Sequence, residues 1–176
     1  MVETDAGRAI AVYGCGATLA GFEEMLSRAV PVQKYLSTLP EADRPKYEDR
    51  RRSYTPKQEA LEKLRCYANK FIVVAISASW CKDCALHLPV LAMIAKATGL
   101  RVEVLGGVKT DPLNPSRRWA VPPSPPEVIT LGITCIPTIV VYTLDGKEVS
   151  RIIEHPHIKP TLEEELAHIL SSASAK

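Results

Sequence analysis

The stretch Phe71-Ile72-Val73-Val74-Ala75-Ile76, followed shortly by Trp80-Cys81-Lys82-Asp83-Cys84, decides how this chain is interpreted. The first six residues are apolar and rich in Ile and Val, which is typical of a buried β-strand. From Cys81 to Thr98 the apolar residues recur at helical spacing, and Gly99 follows, which predicts a helix. The two cysteines therefore lie at a strand-to-helix turn, and this placement favours a redox pair over half of a zinc site or a chance pairing.

Two cysteines at the start of a helix suit thiol chemistry. Cys81 meets unpaired backbone N–H groups and the positive end of the helix dipole, which stabilise a thiolate and lower its pKa. Cys84 lies one turn inside the helix and is more shielded. We therefore predict that Cys81 is the nucleophile and that Cys84 resolves the mixed disulfide, so that the two form a redox-active disulfide. Lys82 favours the Cys81 thiolate and Asp83 opposes it, which makes both candidate accessory residues.

Alternating strands and helices continue after this first helix. The sequence predicts three further strands and a closing helix, at residues 101–105, 137–144, 147–153 and 161–171. Between the second and third strands, residues 109–126 form a proline-rich excursion, and residues 127–131 are expected to form a short helical turn.

The first 65 residues have a different character. Residues 17–39 carry apolar side chains at a roughly helical spacing that Pro31 interrupts. Thr55 and Pro56 predict the start of a helix that runs to about Asn69, with Thr55 as the cap. We expect a helical N-terminal extension ahead of the alternating strands and helices.

The segment Thr134-Cys135-Ile136-Pro137-Thr138 leads into the third predicted strand. Together with the Trp-Cys-Lys-Asp-Cys motif and the order of elements, it resembles the thioredoxin family over about residues 66–172. The resemblance implies an α/β, thioredoxin-like fold, with a central mixed sheet of about four strands, helices on both faces and the N-terminal helical extension. It divides the chain into an extension over residues 1–65 and a thioredoxin-like domain over residues 66–176.

The resemblance also implies roles for residues around the cysteines. Pro137 matches the family's cis-proline, and Ile136 before it would offer backbone groups to an extended substrate chain. Trp80 precedes the first cysteine as in the family, and we assign it to the substrate-binding surface with Ile136 and Pro137. Cys135 is a candidate third redox thiol or dimer cross-link, against the alternative of a passive small residue. The family's buried acid, which assists proton transfer from the second thiol, is replaced by Ala75.

The activity that the resemblance implies is thiol–disulfide exchange with protein disulfides through Cys81 and Cys84. This chemistry needs neither a metal nor an organic cofactor, and a reductase or another thiol donor would supply the electrons. The alternative function is a non-catalytic, thioredoxin-like redox-sensing or protein-interaction module, which the loss of the acid at Ala75 favours. Two more distant alternatives are a peroxide-reducing thiol enzyme and a protein whose cysteines bind a 2Fe–2S cluster shared between two subunits.

Composition excludes several other classes of protein. The chain has 176 residues, 46% of them hydrophobic and 24% charged, as in folded globular proteins, and its net charge of +2 gives no argument for nucleic acid or a membrane surface as a partner. No apolar run approaches the roughly 20 residues of a membrane-spanning helix. Glu3 and Asp5 precede any apolar stretch, so we expect no secretory signal and a cytoplasmic location.

The remaining cysteines and aromatic residues have simpler interpretations. Five cysteines are too few for a disulfide scaffold, and the odd count leaves at least one thiol free or paired between molecules. We expect Cys66 in the core, Cys15 in a loop or buried, and His87 on the surface. For Trp119, in the proline-rich excursion, bordering the substrate groove and anchoring the excursion to the core remain equal alternatives.

Overall fold

The computed structural model describes residues 18–115 and 118–175. Within these residues the chain forms seven helices and five strands. The helices are α1 (Leu19–Arg28), α2 (Val32–Ser37), α3 (Arg44–Ser53), α4 (Gln58–Arg65), α5 (Lys82–Thr98), α6 (Glu127–Thr130) and α7 (Leu162–Ser174). The strands are β1 (Val30–Pro31), β2 (Phe71–Ile76), β3 (Arg101–Leu105), β4 (Thr138–Thr143) and β5 (Glu148–Ile153).

The strands form one mixed sheet in the order β1-β3-β2-β4-β5. The central strand β2 pairs in parallel with β3 and antiparallel with β4, and β4 forms an antiparallel hairpin with β5. The mixed α/β architecture expected from the sequence is therefore confirmed. The carboxyl end of β2 leads directly into the segment that carries both cysteines, which fixes their place at the carboxyl end of the central strand.

The sheet has one strand more than the four that the sequence predicts. This fifth strand, β1, belongs to the N-terminal extension and pairs antiparallel with β3 through Val30 and Pro31. Two residues are too few to show the alternation by which strands are recognised in a sequence. The short strand covers the edge of β3, which would otherwise present unpaired backbone groups.

The core lies on both sides of the sheet. Every residue of β2 is at most 4% exposed, and successive side chains of a strand point to opposite faces, so both faces of the sheet are covered. The N-terminal extension contributes to the same core, because the ring of Phe22 lies 5.0 Å from that of Tyr142 on β4 and Tyr47 of α3 is 3% exposed. The division of the chain at residue 65 stays a prediction.

Helix α4 begins later and ends earlier than the sequence predicts. Its N-cap is Lys57 instead of Thr55, and the Lys57 backbone N–H donates to Glu163 Oε1 at 3.0 Å. The cap is thus supplied by a buried carboxylate of α7, more than a hundred residues away along the chain. The helix stops at Arg65, where Cys66 is the C-cap, instead of running to Asn69.

The other predicted helices agree closely with the structure. Thr161 caps α7 by accepting a hydrogen bond from the Glu164 backbone N–H, and Gly99 ends α5 in the left-handed conformation with φ 78°. No helix among residues 18–115 and 118–175 combines the length and apolar character needed to cross a membrane.

Candidate active site

Cys81 and Cys84 lie at the N-terminus of α5. Cys81 is the N-cap residue, and its Sγ accepts a hydrogen bond of 3.2 Å from the backbone N–H of Cys84. This arrangement follows from an N-cap position, where the side chain satisfies one of the helix's unpaired N–H groups. Cys81 is 7% exposed and Cys84 is fully buried, so the first sulfur is the one that a substrate can reach.

The surroundings of Cys81 favour its thiolate. The Cys84 thiol donates a hydrogen bond to the Cys81 sulfur, and this contact is the main reason that the pKa of Cys81 falls to about 7. Burial opposes the fall, the backbone N–H groups of Cys84 and Asp83 assist it, and the Asp83 carboxylate opposes it. A substantial fraction of Cys81 is therefore a thiolate at neutral pH, and the thiolate is the nucleophilic form.

Cys84 has the opposite character. Burial raises the pKa of the Cys84 thiol far above its usual range, and the hydrogen bond that it donates to Cys81 raises it further. The thiol is consequently protonated in the reduced protein at all physiological pH values. The two cysteines have separated tasks: Cys81 is ready to attack, whereas Cys84 must lose a proton before it can react.

The loop before β4 lies against Cys81. The carbonyl oxygen of Ile136 is 3.5 Å from Cys81 Sγ, and the peptide bond between Ile136 and Pro137 is cis. The Pro137 carbonyl accepts a hydrogen bond of 2.8 Å from the Glu154 N–H. Cys135 is half-buried and its thiol is free. The structure thus brings the two segments singled out in the sequence to one place.

Two tryptophans stack beside the cysteines. The rings of Trp80 and Trp119 are nearly parallel, with centroids 6.4 Å apart, and Trp80 is 41% exposed. Trp80 Nε1 donates to the Val108 carbonyl at 3.1 Å, and Trp119 Nε1 donates to the Thr134 carbonyl at 2.7 Å. Trp119 therefore anchors the proline-rich excursion, and its place at the border of a substrate groove stays a prediction.

The inner side of the site contains hydroxyl groups that the sequence did not reveal. Ala75 of β2 is fully buried, and the Cys84 side chain is hydrogen-bonded to Ser77. Behind Ser77 lie two buried tyrosines of the N-terminal extension, Tyr35 of α2 and Tyr47 of α3. No sequence signal links these residues to the cysteines, because they are separated from them by more than thirty positions of chain.

A histidine pair lies on the far side of Asp83. His155 Nδ1 is 3.1 Å from His87 Nε2, and His155 Nε2 is 3.6 Å from Asp83 Oδ1. His87 is only 8% exposed, so the expectation of a surface histidine is wrong, since this side chain of α5 is covered by its packing and by His155. Burial lowers the pKa of His87 to about 4, which keeps it neutral at physiological pH.

Two of the remaining candidate residues, Cys66 and Lys82, are exposed. Cys66 is exposed instead of buried, because at helical spacing it lies on the opposite side of α4 from the buried Leu61 and Leu64. Lys82 is exposed at the first position of α5. Cys15 lies outside the described residues. Within residues 18–115 and 118–175, no three His, Cys, Asp or Glu side chains are arranged to hold a metal ion.

Comparison with known proteins supports the fold. Residues 29–109 match the sequence model of the thioredoxin family, and this match begins inside the N-terminal extension. A protein of unknown function from Pseudomonas aeruginosa is similar in structure, with a TM-score of 0.60 and 14% identity over 90% of this chain and 96% of that one. An HIV epitope-scaffold has a TM-score of 0.60 and 13% identity over 87% of this chain and 94% of its own.

Other comparisons add little. A DsbH oxidoreductase is 17% identical over 68% of this chain and 84% of its own, with a TM-score of 0.40, which is too low to carry an argument. No curated protein is significantly similar in sequence. At identities this low, structural likeness shows the fold and not the activity. The family match and the two closer structural relatives agree with the topology described above, and the fold of this chain is therefore thioredoxin-like.

Proposed function

We propose that the protein is a thiol–disulfide oxidoreductase that exchanges electrons with protein disulfides through Cys81 and Cys84. The observation that carries the proposal is the contrast between the two sulfurs. Cys81 is at a helix N-cap with a pKa near 7 and is the more accessible thiol, and Cys84 lies behind it within hydrogen-bond distance. An attacking thiol is most effective when its pKa is near the ambient pH.

The reaction takes two steps in the reducing direction. The Cys81 thiolate attacks one sulfur of a substrate disulfide, which forms a mixed disulfide and releases the other substrate sulfur as a thiolate. Cys84 then loses its proton and attacks Cys81 Sγ, so the Cys81–Cys84 bond forms and the second substrate sulfur leaves with its electron pair. The substrate is reduced by two electrons, the protein is oxidised by two, and a reductase or thiol donor would restore the dithiol.

The loop around Ile136 is the proposed substrate contact. Its carbonyl lies beside Cys81 Sγ at 3.5 Å, so an extended chain paired with this backbone would have its disulfide next to the nucleophile. Trp80 and Trp119 provide an aromatic surface beside the same sulfur. Cys135, half-buried on this loop, is a candidate accessory thiol. We propose a protein disulfide as the substrate and assign no metal or organic cofactor to the chemistry.

The alternative function is a non-catalytic redox-sensing or interaction module. One observation favours it: Ala75 is fully buried in β2 and provides no titratable group beside Cys84. In such a module the pair would open and close with redox state, and no mixed disulfide with a client would accumulate.

Trapping distinguishes the two functions. Reduced Cys84→Ser protein is mixed with a peptide that contains an intermolecular disulfide, and the products are separated by mass after acid quenching. We expect a stable mixed disulfide on Cys81, because the resolving thiol is missing. The matched controls are Cys81→Ser, which should trap nothing, and the double variant Cys84→Ser with Cys66→Ser, which removes an exposed thiol with no proposed role and should trap as well as Cys84→Ser. An absence of any mixed disulfide would contradict catalysis and favour the module.

A further inference from the structure

The buried side of Cys84 faces three hydroxyl groups, from Ser77, Tyr35 and Tyr47, which we call the hydroxyl chain. Ser77 hydrogen-bonds the Cys84 side chain, and its Oγ is 3.3 Å from the hydroxyl of Tyr35. Tyr35 in turn is hydrogen-bonded to Tyr47. Ser77 is fully buried, and the two tyrosines are 8% and 3% exposed. The N-terminal extension thus reaches the sulfur that must resolve the mixed disulfide.

This sulfur must lose a proton before it can attack, because only the thiolate is nucleophilic. Among the described residues, the Cys84 thiol interacts with Cys81, with the Ser77 hydroxyl and with the Ala78 backbone, and none of these three provides a carboxylate. Ala75 provides no acid either. A buried thiol can react only if its proton has a route to water or to a base.

Tyr35, the middle member of the hydroxyl chain, borders a cavity that can provide such a route. A surface cavity of about 210 Å³ lies between the N-terminal extension and the active-site turn, and Tyr35, Ala78 and Trp80 line it. Tyr35 therefore contacts Ser77 on one side and borders a space large enough for several water molecules on the other. Ser77 and Tyr35 thus connect Cys84 to one of the residues that line this cavity.

We propose that Ser77 and Tyr35 form a proton relay that carries the Cys84 proton to water in this cavity when the mixed disulfide is resolved. The proposal rests on the proposed function and assigns part of its chemistry to the N-terminal extension. Ser77 touches the reacting thiol, whereas Tyr35 acts through Ser77 and is a positioning residue for the transfer.

The relay accounts for the proton that Cys84 loses in the resolving step. As the Cys84 sulfur attacks Cys81 Sγ, its proton passes to Ser77 Oγ, the Ser77 proton passes to the Tyr35 oxygen, and the Tyr35 proton passes to water. The Cys81–Cys84 bond forms, the bond from Cys81 to the substrate sulfur breaks, and that sulfur leaves as a thiolate. Both hydroxyls end the step with the same number of protons as they began.

The two tyrosines are suited to different parts of this arrangement. Burial raises the pKa of Tyr35 to about 12, so it stays a neutral hydroxyl that both accepts and donates. The Tyr47 hydroxyl lies 3.1 Å from the Ala78 carbonyl and 3.2 Å from the Ser79 carbonyl, and its proton is engaged there. Tyr47 therefore holds the active-site turn in place beside the relay.

The charged and titratable groups that face the relay within the described residues come from the start of α5 and from the N-terminal extension. Cys81 faces Cys84 from the N-cap of α5, and Asp83 lies beside Cys81. From the N-terminal extension, Tyr35 and Tyr47 face both thiols, and Asp43 faces Tyr47. Asp43 hydrogen-bonds Ser79, which lowers its pKa, so it is a poor proton acceptor at neutral pH.

The test separates the two steps of the reaction. Reduced wild type and Tyr35→Phe are mixed with an excess of a peptide disulfide over a range of pH, quenched in acid, and analysed by mass for the mixed disulfide and the closed Cys81–Cys84 form. In Tyr35→Phe we expect formation of the mixed disulfide to be unchanged and its resolution at pH 7 to slow by roughly 100-fold, the lower end of the range for a lost proton-transfer group. The deficit should shrink toward about pH 9, because hydroxide then removes the proton directly.

Two further variants complete the design. Tyr54→Phe removes another phenol of the N-terminal extension, one that donates to Glu163 and not to the relay, and should resolve at the wild-type rate. Ser77→Ala interrupts the relay at its first member and should reproduce the pH-dependent slowing, so it carries the test if Tyr35→Phe does not fold. Unchanged resolution in Tyr35→Phe, or slowing by one factor at every pH, would overturn the relay alone. A wild type that never forms the mixed disulfide would overturn the proposed function.

Discussion

The surroundings of Cys81 and those of Cys84 are built from different parts of the chain. The contacts of the Cys81 sulfur come from its own motif, through the N-cap position and the N–H of Cys84, and from the Ile136 carbonyl. The surroundings of Cys84 come from Ser77, directly after β2, and from the tyrosines of the N-terminal extension that lie behind Ser77. Three residues of separation along a helix thus leave Cys81 slightly exposed and place Cys84 fully in the core.

This difference explains why the two sulfurs behave unlike each other. Local backbone groups are enough to stabilise a thiolate, so the outer cysteine needs only the start of a helix. A buried thiol depends on whatever packs against it, because the protein interior replaces the solvent. The local motif is therefore enough to make Cys81 nucleophilic, whereas the reactivity of Cys84 depends on the tertiary structure around it.

The largest expected effect comes from truncating a buried tyrosine of the N-terminal extension that packs behind the cysteines. Tyr47→Ala removes a ring that is 3% exposed and a hydroxyl that bonds the active-site turn. We expect the free energy of unfolding to fall by about 3–5 kcal/mol, as for other buried aromatic truncations. Urea denaturation measures this loss, and Tyr67→Ala, which truncates a half-buried tyrosine after α4, is the control with a smaller expected loss. A loss no larger than that of the control would show that the N-terminal extension is not part of the core around Cys84.

A smaller effect follows from removing the contact between the two sulfurs. The hydrogen bond from Cys84 is the main cause of the lowered pKa of Cys81, so Cys84→Ala should raise that pKa above about 7. The alkylation rate of Cys81, followed by mass on the peptide that contains it, should then rise with pH over a higher range than in the wild type. Cys84→Ser keeps a donor and should shift the curve less. A Cys84→Ala curve identical to that of the wild type would instead assign the lowered pKa of Cys81 to the helix N-terminus.

The smallest expected effect concerns the residues between the cysteines. The Asp83 carboxylate raises the pKa of Cys81, so Asp83→Asn should lower it and speed the alkylation of Cys81 at pH 6. We expect about a two- to threefold increase, in line with the weak interactions of partly exposed charges. Asp49→Asn, which removes an exposed carboxylate paired with Arg52, should leave the rate unchanged. A slower reaction in Asp83→Asn would mean that this carboxylate helps the thiolate through another contact.

Much of the fold could be predicted because its signals are local. The strand at Phe71–Ile76 and the helix that ends before Gly99 are apparent from apolar content, periodicity and a stop residue. The start of α4 was predicted wrongly because Glu163, from another helix, provides the partner for the Lys57 N–H. Cys66 and His87 were placed wrongly for a related reason, since burial of a single residue depends on what packs over it.

The sequence by itself determined the position of the two cysteines at a strand-to-helix turn and the readiness of Cys81 to ionise, because both depend on neighbouring backbone. Only the tertiary structure decided what surrounds Cys84. Ser77 directly follows β2 and the two tyrosines come from α2 and α3, and these hydroxyls lie near the buried thiol only because the N-terminal extension packs against the sheet. Contacts between distant segments leave no pattern in one sequence, and the acid missing at Ala75 could be noticed there while the hydroxyls in its neighbourhood could not.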